Sequence, residues 1–167
     1  MPRPVLALAV GTLIVLLARP AAAQEVDHTE EPPRHWGATI WGLSYHVNTT
    51  IDYAVANWGL GVRYYIKPQH FFVEADALRN SNRGLVVPVS AGAELGIGTV
   101  AACHFSALAA LTAAYYQNPR KNLTQVKWGP VPGATVGCGR FKTNVMVILS
   151  PSSQPLAAIA ASLTILF

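Results

Sequence analysis

The chain has 167 residues, a formal net charge of +4 and a hydrophobic fraction of 51%. That length fits one domain of ordinary size. The weak basic balance, with no basic helix or aromatic–basic repeat beside it, excludes nucleic acid as the expected partner.

The first 23 residues carry Arg3, an apolar run from Val5 to Leu17, and Pro20-Ala21-Ala22-Ala23-Gln24. A basic start, an apolar middle and an Ala-x-Ala site predict an export signal cleaved after Ala23. The run is short for a spanning helix of about 20 residues. Its removal takes away Arg3 and Arg19 and no acid, which lowers the net charge by two. Residues 24–37 are polar, acidic and carry Pro32-Pro33, as expected of a flexible periplasmic lead-in. From Trp36 onward nine Lys or Arg stand against four acids, a balance that suits anionic headgroups.

Residues 38–167 alternate apolar segments with punctuation. Strands are predicted over Ala38–His46, Trp58–Ile66, Phe71–Arg79, Leu85–Leu95, Val100–Tyr115, Trp128–Cys138, Phe141–Leu149 and Pro155–Phe167. Each is near the length a tilted strand needs to cross a bilayer. An exported chain of this kind is expected to be all-β, an eight-stranded antiparallel transmembrane barrel in the outer membrane. Short turns then fall on the periplasmic side, at residues 67–70 and 139–140. Val47–Asn57, Asn80–Gly84, Gln117–Lys127 and Ser150–Gln154 fall outside. Ala107–Ala114 and Leu156–Ala161 favour helix by propensity, which leaves one or two buried helices as an open alternative.

The five residues Val145–Leu149 are apolar at every position, and an eight-stranded barrel has room only for side chains or one small ligand. An apolar lumen is therefore expected, either packed and inert or roomy enough for an acyl chain; a water-filled channel is not.

This topology brings His46 and Ser81 to one membrane face, where a His within reach of a Ser acts as its general base. The plainer alternative makes them a rim residue and part of a turn. Pro130 and Pro132 cannot donate ladder hydrogen bonds, so they predict either a weakened lateral seam or a late strand start. Arg79, Arg83, Arg120 and Lys121, with Lys127, gather at the outer rim and suit phosphate. Cys103 and Cys138 lie at neighbouring ends of the fifth and sixth strands. A disulfide, permitted in an exported protein, is expected between them if they share a face. No metal or diffusible cofactor is implied.

Several stretches carry a resemblance: a His in the first strand, Asn57-Trp58-Gly59-Leu60-Gly61, Asn80-Ser81 after the third, and Pro88 with Ala91-Gly92 in the fourth. Gly129-Pro130-Val131-Pro132-Gly133 and a terminal Phe167 follow. Over most of residues 41–167 their order resembles the bacterial outer-membrane lipid A palmitoyltransferases. The resemblance implies a monomer that moves a palmitoyl-like chain from a phospholipid to the lipid A part of lipopolysaccharide. It assigns His46, Asn80 and Ser81 to the family's His, Asp and Ser. Asn stands where the family has Asp, and it cannot carry the charge that steadies an imidazolium; Asp76, upstream in the strand, is not its equivalent. The lead-in also lacks the family's amphipathic helix. Both departures favour the alternative of a non-catalytic lipid-binding or structural barrel of the same ancestry. A deacylase would need a His-x-Ser pair on a late strand; His104-Phe105-Ser106 has the spacing at the wrong depth.

Overall fold

The computed structural model describes residues 33–47, 53–68, 70–149 and 157–167. The predicted export signal, most of the lead-in and the loop over 150–154 lie outside the described residues. Eight strands pair antiparallel, each with its sequence neighbours, and the last closes on the first. They are β1 Trp36–Val47, β2 Ala56–Lys67, β3 Phe71–Arg79, β4 Leu85–Val100, β5 Cys103–Asn118, β6 Leu123–Cys138, β7 Phe141–Leu149 and β8 Ala157–Leu166.

Several bounds differ from the expectation. Trp36 and Gly37 belong to β1 rather than to the lead-in, because Trp36 packs on Tyr64 and pairs with it. The expected loop over residues 117–127 is largely strand: β5 and β6 pair through all of Cys103–Asn118, and a single 3-10 turn at Pro119–Lys121 joins them. Polar Gln117, Thr124 and Gln125 read as loop in sequence, yet they form the outer end of the wall. Ala107–Ala114 is strand throughout. Every residue of that stretch is paired with both β4 and β6, and that tertiary pairing overrides the helical preference of Ala.

Sidedness is inverted relative to a water-soluble barrel. Arg63, Thr39, Asn144 and Thr164 are fully buried, whereas Trp128 is 79% exposed and Leu60 69%. Alternation along β3 shows how this arises: Phe72, Glu74 and Asp76 point inward and Phe71, Val73 and Ala75 outward.

The lumen is not apolar throughout, contrary to the sequence expectation. Its end nearest the termini holds four charges. Arg63 pairs with Glu74 at 2.7 Å and with Glu94 at 3.0 Å, and Lys142 pairs with Glu94 at 2.6 Å. The Tyr65 hydroxyl donates to Glu94 and Thr39 to Glu74, while Asn144 donates to Ser162 and Thr164. Buried charges persist where partners and hydrogen bonds surround them, as here. Above this plug lies an apolar layer of Trp41, Phe72, Leu108, Met146 and Ala160.

Cys103 and Cys138 are register partners on β5 and β6, bonded as a disulfide.

Candidate functional site

The site lies at the end of the barrel opposite the plug. Along β1, Thr39 and Trp41 point inward at odd positions. The register with both neighbours then shifts between Trp41 and Leu43. Beyond that bulge Ser44 is buried and His46 half-buried, while Leu43 and Tyr45 are exposed. A bulge re-aims the side chains that follow it, and here it turns His46 toward the lumen.

Ser81 follows the end of β3, in a turn that is tightly fastened. Asn80 accepts at Oδ1 from the backbone N–H of Asn82 (2.9 Å) and of Gly84 (3.1 Å), and donates from Nδ2 to the Gln117 carbonyl (2.7 Å). Asn82 reaches the Tyr116 hydroxyl on β5 (2.6 Å), and Ala54 donates to the Ser81 carbonyl (3.2 Å). Arg83 takes the left-handed backbone conformation that closes the turn.

The two elements meet. Ser81 Oγ lies 3.0 Å from His46 Nε2, a hydrogen bond in which the hydroxyl donates when Nε2 carries no proton. Asn57 at the start of β2 donates from Nδ2 to Ser81 Oγ (3.2 Å) and also to Ser44 Oγ. Ser44 Oγ is itself 3.4 Å from Ser81 Oγ. The His46 ring stacks on Tyr53, with centroids 4.3 Å apart and 19° between planes. The arrangement is a hydroxyl with a base on one side and an amide donor on the other.

Asn80 does not orient His46, as the family comparison suggested. Both ends of its amide are engaged in the turn and in β5. Ser44, Asn57 and Tyr53 are the residues that flank the pair. Asn57 stands in a stretch singled out by resemblance and Ser44 does not, and only the bulge and the register of the closed barrel bring them to Ser81. The basic residues Arg79, Arg83, Arg120 and Lys121 are exposed at the same end. Lys127 lies over the Tyr116 ring at 4.8 Å. His104 is bonded to Thr99 at the opposite end of the wall.

Beneath the pair is a cavity of about 460 Å³, walled by Leu78, Ala110, Val131, Met146 and Ala160 among others. Its side is incompletely closed. β6 makes 16 pairs with β5 but only six with β7, from Gly133↔Met146 to Cys138↔Phe141. The ladder stops beside Pro132, and Pro130 and Pro132 occupy the unpaired outer half. The late-start alternative for this strand does not hold, since β6 begins at Leu123. A second interruption lies between β3 and β4, where pairing skips from Ala75↔Val89 to Leu78↔Val86 around Pro88.

No family model matches the chain, and no curated protein matches it. Among solved structures it is similar to a chain from the de novo design of transmembrane β-barrels. The two share 12% identity over 83% of this chain and 100% of that chain, with a TM-score of 0.47.

Proposed function

We propose that the chain is an outer-membrane barrel that transfers a fatty acyl, palmitoyl-like chain from a phospholipid to lipid A. Membrane placement is supported by the inverted sidedness: exposed Trp128, Leu60 and Ile97 on the outside, and charge and amide sealed within. The single observation that carries the chemistry is Ser81 Oγ at 3.0 Å from His46 Nε2, at the mouth of a cavity open toward the lipid-facing seam. His46 takes the Ser81 proton as Oγ attacks the donor ester. The lysophospholipid leaves with that proton; a lipid A hydroxyl then gives its proton to His46 as it attacks the acyl-serine, the acyl–Oγ bond breaks, and His46 returns the proton to Ser81 Oγ. Asn57 Nδ2, which donates to Ser81 Oγ in the free protein, can turn to the oxyanion that forms on the carbon Oγ attacks. A half-closed lumen that shields the acyl chain from water favours transfer over hydrolysis. The exposed basic rim suits lipid A phosphates.

The test is expression of the full chain in a host without its own lipid A palmitoyltransferase, with lipid A weighed by mass spectrometry. An added acyl mass is expected, and its loss in Ser81→Ala. Unchanged lipid A, with the barrel folded in the outer membrane, establishes the second reading of a non-catalytic lipid-binding barrel. The observation favouring that reading is that, among the described residues, no carboxylate hydrogen-bonds to His46.

A further inference from the structure

His46 is held from two sides. Its Nε2 edge meets Ser81 Oγ at 3.0 Å, and a face of the ring lies against Tyr53, with centroids 4.3 Å apart and 19° between planes. Tyr53 belongs to the short segment that leads into β2. Two backbone bonds fasten that segment to both halves of the site. Ser44 on β1 donates its N–H to the Val55 carbonyl at 2.8 Å, and Ala54 donates to the Ser81 carbonyl at 3.2 Å. The segment is thereby tied to the strand that carries His46 and to the turn that carries Ser81.

The other neighbours bring no counter-charge. β8 sets Ala158 opposite His46, and the Asn80 amide is engaged in its own turn and with β5. Lys127, a cation of the same mouth, lies over the Tyr116 ring. A base that takes the Ser81 proton becomes an imidazolium, and a half-buried cation is costly without an electron-rich neighbour. The face of an aromatic ring is such a neighbour: its quadrupole is negative there, and it attracts a cation within about 6 Å of the centroid.

We infer that Tyr53 is the positioning residue of His46, its ring face holding the imidazole toward Ser81 and steadying the positive charge that the imidazole takes up. Its part in turnover rests on the acyl-transfer reading of the pair; its hold on the charged ring does not. Where a carboxylate would act by full charge, the aromatic face acts by its quadrupole, so Asn at position 80 does not leave the imidazolium without support.

The full chain, labelled at histidine and folded in phospholipid nanodiscs, is titrated by NMR, with the His46 ring signal assigned by its loss in His46→Gln. Tyr53→Leu keeps an apolar side chain against the ring and removes the aromatic face. Tyr53→Phe keeps the face and removes the hydroxyl. In Tyr53→Leu the His46 midpoint is expected to fall by about half to one pH unit, because the imidazolium loses support and the neutral ring does not. Tyr53→Phe is expected to keep the parent's midpoint. In a lipid A acylation assay the pH of half-maximal rate should move down with the midpoint in Tyr53→Leu, and the plateau should fall severalfold. Tyr53→Met takes its place if Tyr53→Leu does not fold. A midpoint unchanged in Tyr53→Leu, or lowered as much in Tyr53→Phe, overturns the role of the ring face. A midpoint that falls in a barrel that acylates nothing overturns the acyl-transfer reading and leaves the hold of Tyr53 on His46 standing.

Discussion

Gly42 marks the bulge that points His46 inward. Before it the lumen-facing residues of β1 are odd-numbered, as at Thr39 and Trp41; after it they are even-numbered, as at Ser44 and His46. Strict alternation carried past Trp41 would place Leu43 and Tyr45 in the lumen and turn His46 to the outside, away from Ser81.

That facing is measurable by thiol labelling, because both native cysteines are bonded to each other. In His46→Cys a water-soluble thiol reagent applied from outside is expected to react, and a bilayer-confined one is not. In Tyr45→Cys the preference reverses. The same preference in both variants would mean that the bulge does not set the facing.

Asn57 is expected to matter for rate more than for fold. Its amide is the donor aimed at Ser81 Oγ, and loss of one oxyanion donor typically lowers kcat by about 10²–10³-fold. Asn57→Ala should show that loss in a lipid A acylation assay, with the barrel still resistant to detergent. A rate within a few-fold of the parent would remove Asn57 from the chemistry.

Asn80→Asp restores the residue type of the resembled family, and no gain of activity is expected from it. The Asn80 amide donates to the Gln117 carbonyl; a carboxylate there sets oxygen against oxygen. The cost is about 1–3 kcal/mol, that of a buried group left unsatisfied. Denaturant unfolding should show the drop. A severalfold rise in acylation would instead show that the carboxylate reaches His46.

Arg63 carries the plug. Arg63→Met strips Glu74 of its cationic partner and leaves Glu94 with Lys142 alone, and breaking a buried pair from one side costs about 3–5 kcal/mol. The double variant Arg63→Met/Glu74→Met removes both charges of the Arg63–Glu74 pair and is expected to recover part of that loss. Equal unfolding midpoints for the parent and Arg63→Met would contradict the assignment.

Val131 and Ile148 stand on the unpaired sides of β6 and β7, and both line the cavity. Cysteines at these two positions should cross-link across the seam. Acylation is then expected to stop under oxidising conditions and return on reduction; full activity in the oxidised variant would show that lipid does not use this side.

Strand number and order were legible in the sequence because Gly, Pro and polar turn residues punctuate the apolar segments. The plug was not. Its charges come singly from β2, β3, β4 and β7, each isolated among apolar neighbours, and their clustering depends on which alternate face each strand turns inward. The clue was there in Arg63, Glu74, Glu94 and Lys142, which fall on inward positions once the registers are set. His46 and Ser81 were legible as residues of one rim, but their contact depends on a bulge whose only cue, Gly42, is shared with the regularly paired glycines of β2. The ladder's stop at Pro132 was foreseeable because a missing N–H acts locally.

Because paired charges fill one end of the lumen, the barrel is a cul-de-sac. On the proposed function, an acyl chain that goes in must back out or slip sideways through an interrupted ladder, at β6 and β7 or at β3 and β4, and two lipids cannot file through one behind the other. On the proposed acyl transfer, donor and acceptor would have to take turns in the same cavity. The kinetic signature of such an arrangement is a ping-pong scheme in which each lipid, in excess, inhibits by occupying the form of the protein meant for the other.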